Sequence, residues 1–184
     1  MSRSVTYAEF GENFVVATVS PERVSSAIRR IAGDTVELGP LRAGPGGAAT
    51  VRAKGTIGEP RTEELDTDLL SFSVRLPVEL HLDVRVGTST AFDATGEIEL
   101  HLTVLTLDPP ALMIEVDPVE PSHVHFEIRS KGFQARVLER AGDVEGELRR
   151  QVAAFVNQQV ASPDARRYAC VELMPLIESA WETL

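Results

Sequence analysis

The chain has 184 residues and a net charge of -10 at pH 7. This acidic balance disfavours nucleic acids and anionic membrane surfaces as partners, because both attract clustered Lys and Arg. Aromatic residues make up 5% of the chain against a hydrophobic fraction of 43%, so the predicted core is aliphatic. The length fits one core, and we predict a single domain over residues 1–184.

Cysteine usage and hydropathy narrow the class of protein further. Cys170 is the one cysteine of the sequence, which excludes an intrachain disulfide and a Cys-based zinc cage. The first residues lack the apolar segment of a signal peptide, and no run of about 18 apolar residues suggests a membrane span. We therefore expect a cytoplasmic protein without stable membrane insertion.

A first helix is predicted from Pro21 to Ala32, after a short β-branched run from Phe14 to Val19. Ser20 can cap the free backbone donors, Pro21 suits the first helical position, and Gly33 supplies the stop. The apolar residues of this segment recur with helical spacing and form one stripe: Val24, Ala27, Ile28 and Ile31. Such a stripe needs a partner surface.

Two strands are predicted next, from Val36 to Leu41 and from Ala49 to Ile57, joined by a glycine-rich turn at 44–47. The glycines do not fit a phosphate-binding loop, because no helix start follows them and Lys54 falls in a strand pattern. The polar segment from Glu59 to Asp68 is interpreted as an exposed loop or a ragged strand end.

Strict alternation of apolar and polar residues then predicts a long strand with one dry and one wet face. Its apolar residues are Leu70, Phe72, Val74, Leu76, Val78, Leu80, Leu82, Val84 and Val86. Pro77 lacks a backbone donor, which indicates a bulge or a sheet edge at that position. The same alternation returns in Phe92, Ala94, Ile98, Leu100, Leu102 and Val104, so the two runs form a predicted hairpin.

Centring this hairpin near Ser89 would place Arg85 opposite Asp93 and His81 opposite Glu97. Two further strands follow, containing Leu112, Ile114 and Val116, and then Val124, Phe126 and Ile128. The sequence thus predicts a long, curled antiparallel meander with one aliphatic face.

From Gln134 to Val160 the period changes to that of a long amphipathic helix, which Asp143 could restart as a cap. Its apolar residues are Val137, Ala141, Val144, Leu148, Val152, Phe155, Val156 and Val160. A strand from Tyr168 to Leu173 and a short helix from Pro175 follow. The predicted fold class is α+β: a sheet-and-helix core over 12–160, with the meander packed on a long C-terminal helix and a short N-terminal helix, and a strand and helix extension over 161–184.

No pattern indicates a catalytic, cofactor or metal site. The four histidines, His81, His101, His123 and His125, fall on the polar side of the sheet, and the predicted register separates His81 from His101 by roughly 13 Å. Paired carboxylates such as Glu63 with Glu64 and Glu97 with Glu99 fall on predicted exposed positions, and Cys170 has an apolar setting. We predict no metal and no cofactor, and the absence of a nucleophile motif favours a binding protein over an enzyme without deciding between them.

The aliphatic face is longer than one helix can cover, because a helix rises about 1.5 Å per residue against about 3.3 Å in a strand. A lipid chain, a dimer partner or strong curling of the sheet would each cover the remainder.

The order of first helix, long one-sided strands and closing helix resembles one module of the tubular lipid-binding superfamily over about residues 12–160. The resemblance is carried by the even-numbered apolar series 70–86 and 92–104 and by the turn phrases Asp108-Pro109-Pro110 and Asp117-Pro118-Val119. It implies a curled sheet around a long helix, with acyl chains held in an apolar tunnel or groove. The run from Val15 to Val19 followed by Ser20-Pro21-Glu22-Arg23-Val24 is also similar to the strand and helix entry of the START-like helix-grip fold.

We therefore expect non-enzymatic binding of a lipid or another elongated hydrophobic molecule between the sheet and the helix 134–160. The expected lining residues are Leu76, Val78, Leu80, Leu82, Ile98, Leu100, Leu102, Ile114, Val116, Leu148, Val152 and Val156. Two alternatives are a structural module that forms a homodimer through the apolar face, and a cyclase-type enzyme on the helix-grip fold.

Overall fold

The computed structural model describes residues 3–129 and 143–182, and within them it has five helices and an eight-stranded antiparallel sheet. The helices are α1 (Tyr7–Thr18), α2 (Pro21–Ala32), α3 (Val144–Val160), α4 (Pro163–Ala169) and α5 (Met174–Glu182). The strands are β1 (Thr35–Ala43), β2 (Ala49–Ile57), β3 (Arg61–Leu65), β4 (Ser71–Val86), β5 (Thr88–Leu107), β6 (Ala111–Val116), β7 (Val124–Arg129) and β8 (Cys170–Glu172). The sheet is curled into a half-barrel, so the predicted α+β class is confirmed.

Side-chain caps set the starts of the helices. Ser20 accepts a hydrogen bond from the backbone of Arg23 at the start of α2, and Asp143 accepts one from Gly146 at the start of α3, as predicted. The part of the predicted long helix before Asp143, which includes Gln134, Val137 and Ala141, lies outside the described residues.

Helix α1 replaces the strand that the START-like resemblance implies for 15–19. Thr6 and Glu9 form a reciprocal capping box, in which each side chain accepts a hydrogen bond from the other residue's backbone N–H. This cap starts a helix early enough to include Val15 and Val16, whose β-branched side chains lower helix propensity only slightly.

Two long strands, β4 and β5, form the centre of the sheet, and each is flanked by two shorter strands placed end to end. β2 and β3 pair with successive parts of β4, while β7 and β6 pair with successive parts of β5. Pro77 lies where β2 and β3 meet, and its carbonyl accepts a hydrogen bond from Gly58 at 2.8 Å. The missing donor of Pro77 thus falls at a gap in the pairing, which fits the predicted edge.

The predicted register of the central hairpin is wrong by four positions. The reversal centres on Gly87, whose φ of 74° permits the tight turn, so that Arg85 faces Ser89 and His81 faces Asp93. Because four is an even number, the predicted aliphatic face is unchanged.

The order of the last predicted strands is also corrected. β7 does not continue the meander beside β6 but returns to pair with β5. The segment 59–68, predicted as a loop or ragged strand end, contains β3, which is fully paired with β4. In the predicted strand 168–173, Tyr168 belongs to α4 and Cys170–Glu172 form β8, which pairs with β6.

The concave face of the sheet carries the core. The even-numbered residues of β4 from Phe72 to Val84 are all buried, as are Val24 and Ile28 of α2 and Leu148 and Val152 of α3. α3 contacts β1 on one side and β7 on the other, so it lies within the curl. Curling and helix packing together cover most of the face, and none of the described helices is both long and apolar enough to cross a membrane.

Candidate functional site

Hollows of very different sizes adjoin the concave face in the part of the chain that the structure describes. The inner one lies between the sheet and the helices α2 and α3 and has a volume of about 40 Å³. Ligand sites usually have volumes of about 300–1,000 Å³. The inner hollow is therefore too small for a ligand of that class and is a small gap in the packing of the core. Its lining is apolar apart from Gln159.

The twelve predicted lining residues all belong to the core or pack against it. Half of them line the inner hollow: Leu76, Val78, Ile98, Leu100, Val152 and Val156. Leu80, Leu82, Leu102 and Leu148 are buried elsewhere in the core, and Ile114 and Val116 are partly buried against it. Contact of these residues with a ligand stays a prediction.

The larger hollow is an open groove of about 750 Å³ between α1 and one end of the sheet. We call it the α1 groove. One wall of the groove is α1, which contributes Gly11, Glu12, Phe14, Val15 and Val16. The segment just before β4 contributes Asp68, Leu69 and Leu70, and the end of β5 contributes Val104, Leu105, Thr106 and Leu107. The start of β6 and the residue before α5 complete the lining with Pro110, Ala111, Leu112 and Leu173. Most of these side chains are apolar, and the volume suits a small molecule.

The α1 groove and the inner hollow lie on the same face of the sheet. Leu70 and Val104 line the groove, whereas Leu76 and Leu100 line the inner hollow. Between them on β4 and β5 stand Phe72 and Leu102, which face each other across the strands and are both fully buried. This buried pair lies between the two hollows.

Helix α1 forms the wall of the groove without being buried itself. None of its residues is buried, and Phe10 and Val16 are about 60% and 59% exposed. Val15 packs against the core, and the rings of Phe10 and Phe14 stack with centroids 6.1 Å apart. The apolar side chains of α1 beside the groove are therefore only partly covered by the rest of the protein.

The opposite, convex face is polar and carries one cluster that sequence reasoning missed. Ser73 lies opposite His101, and its hydroxyl donates to Glu99 Oε1 at 3.3 Å. His101 Nε2 is 3.6 Å from the same oxygen, and the His101 ring meets His123 edge to face at 5.7 Å. A hydrolytic triad needs the imidazole between hydroxyl and carboxylate. Here the carboxylate occupies the middle, so the cluster does not activate Ser73.

His81 and His101 lie far apart along the strands, as predicted, although the observed register differs from the predicted one. His101 pairs with Ser73, which is eight positions from His81 on β4, or about 26 Å along an extended strand. In residues 3–129 and 143–182, no group of three His, Cys, Asp or Glu side chains could hold a metal ion. Cys170 is a free thiol at the start of β8.

No protein-family model matches the chain, and the curated proteins contain no match to it.

Proposed function

We propose that this protein binds an elongated hydrophobic molecule without chemically changing it, and that the α1 groove is where the molecule enters. The observation that supports this proposal best is an apolar-lined groove of about 750 Å³ beside a loosely packed helix. Burial of apolar surface drives such binding, at about 25 cal/mol per Å². The resemblance to the tubular lipid-binding superfamily is a separate hypothesis that also implies an apolar groove, in that case for acyl chains.

The neutral fluorescent probe N-phenyl-1-naphthylamine tests this proposal, because its emission rises when it leaves water. The double variant Val16→Gln, Leu107→Gln places two amides in the groove at positions that are already exposed, so the fold should persist. We expect it to weaken probe binding at least tenfold. Leu176→Gln makes the same kind of change on α5 outside the groove and should leave binding unchanged.

Native mass spectrometry after gentle purification provides a second readout. A bound apolar molecule, retained by the parent protein and lost from the double variant, would support the groove as its site. The proposal would be refuted if the parent protein neither bound the probe nor carried a co-purifying lipid.

Self-association is a second candidate, favoured by the exposed apolar side chains of α5. Leu176 and Trp181 are about 60% and 72% exposed, and no residue of this helix is buried. Sedimentation velocity separates the two candidates. Leu176→Gln should reduce self-association without changing probe binding. The groove variant should weaken probe binding without changing self-association.

A further inference from the structure

The rim of the α1 groove carries negative charge from two elements. Glu12 of α1 and Asp68 of the turn before β4 both line the groove. A neighbouring hollow of about 420 Å³ shares Val16, Asp68, Leu69 and Leu70 with it and adds Glu64 and Asp66. Four carboxylates therefore line these two adjoining hollows.

These carboxylates have no basic partner within the described residues. Neither hollow has Lys, Arg or His in its lining. The salt bridges found in residues 3–129 and 143–182 involve other acids, such as Glu9 with Arg3 and Glu63 with Arg75. No basic group in the two linings neutralises these carboxylates, and the net charge of -10 reinforces the negative potential there.

A charged head group at this rim would experience that field directly. An anionic head, such as a fatty-acid carboxylate, meets like charges and would be repelled, whereas an ammonium or amine head is attracted. The apolar walls accept the hydrocarbon part in either case, so the rim determines which amphiphile is retained.

We propose that the preferred ligand is an amphiphile with a hydrocarbon tail in the α1 groove and a cationic head at Glu12 and Asp68. This inference rests on the proposed function and specifies the ligand class. It excludes fatty acids and anionic phospholipids as preferred ligands.

Displacement of bound N-phenyl-1-naphthylamine by matched twelve-carbon amphiphiles tests the inference. We would compare dodecyltrimethylammonium, dodecanol and dodecanoate below their aggregation concentrations, at pH 8 and low ionic strength. The cation should compete at least tenfold better than the carboxylate, with the alcohol between them. Raising the salt to about 0.5 M should shrink that ratio, because screening shortens the reach of exposed charges.

Two double variants separate the rim from the overall charge. Glu12→Gln, Asp68→Asn should remove most of the preference for the cation, measured as the ratio of the competition constants of the cation and the carboxylate, so that any change in probe affinity cancels. Glu79→Gln, Glu127→Gln removes the same charge from the convex face, where these residues are exposed on β4 and β7 on either side of β5, and should keep the preference.

The outcomes distinguish the two proposals. Equal competition by all three amphiphiles, or better competition by dodecanoate, would overturn the cationic preference while leaving hydrophobic binding intact. If the probe itself does not bind, the proposed function fails first.

Discussion

Two glycines on the concave face allow neighbouring strands and side chains to approach closely. Gly55 of β2 lies opposite Leu80, and Gly96 of β5 lies opposite Val78, with Phe126 of β7 on its other side. A Cβ atom at Gly96 would be 2.2 Å from the carbonyl oxygen of His125 and 2.3 Å from the Phe126 ring. Glycine is therefore required for this close approach.

Gly96→Ala should destabilise the protein by about 1–3 kcal/mol, since the new methyl group has no space. Gly11→Ala provides the matched control, because nothing lies within 4 Å of that position in α1 and alanine favours helix. It should stabilise the helix or leave the protein unchanged. Urea denaturation of the two variants would measure both effects, and equal shifts in the same direction would contradict this account.

Glu147 of α3 gives a prediction for pH. Hydrogen bonds from Gln151 and Arg150, both at 2.9 Å, hold the pKa of Glu147 below its ordinary value of 4.5. Its ionised form therefore stabilises the fold fully above pH 4.5, and this contribution is lost as the pH falls through the lowered pKa.

Glu147→Gln should accordingly flatten the acid side of the stability profile, measured as midpoint temperature between pH 6 and pH 3. Glu178→Gln removes a charge from an exposed position of α5 and should keep the steeper profile of the parent protein. A profile for Glu147→Gln as steep as that of the parent would argue against the role of these hydrogen bonds.

Helix α3 is joined to the connection between β6 and β7 by the side chain of Asn157, which pairs with one backbone N–H and carbonyl. Asn157 accepts a hydrogen bond from the Val119 N–H at 2.8 Å and donates one to the Val119 carbonyl at 3.0 Å. Val119 is buried in the connection between β6 and β7, so both of its backbone groups depend on this residue.

Asn157→Leu should cost about 1–3 kcal/mol, because it leaves a buried donor and acceptor unpaired. The neighbouring Gln158→Leu is the control, since Gln158 is exposed on the same helix. Equal stability of the two variants in chemical denaturation would show that water replaces the amide.

Helix α1 should be the most readily opened element that touches the groove, because it has no buried residue. We expect its amides to exchange with solvent faster than those of β4, and to slow on addition of N-phenyl-1-naphthylamine. Helix α5 also lacks buried residues but does not line the groove, so its exchange should not respond. Protection of α5 alone would locate the probe elsewhere.

At the scale of the whole molecule, the sequence pattern predicted the sheet better than the site. Burial of one face forces a period of two along β4, so its dry face was evident from alternation alone. The position of β7 could not be predicted from the alternation, because the turn after β6 does not reveal which strand the chain pairs with next. The hairpin register depended on whether Gly87 or Ser89 held the turn, and both were compatible with the alternation.

The α1 groove could not be predicted from the sequence pattern either, because it too depends on which distant segments meet. Its walls come from parts of the chain separated by tens of residues, and their meeting follows from the tertiary fold. The one local signal was the capping box of Thr6 and Glu9, which predicts a helix where the β-branched residues after Phe14 had suggested otherwise.

The long central hairpin also has a consequence during synthesis of the protein. β4 and β5 are complete once Leu107 has been made, but α3 ends at Val160, which is 53 residues later. At about 5–20 residues per second, the aliphatic face waits several seconds for the helix that fills its curl. During that interval a nascent chain exposes its most aggregation-prone surface, and chaperone engagement should be strongest there.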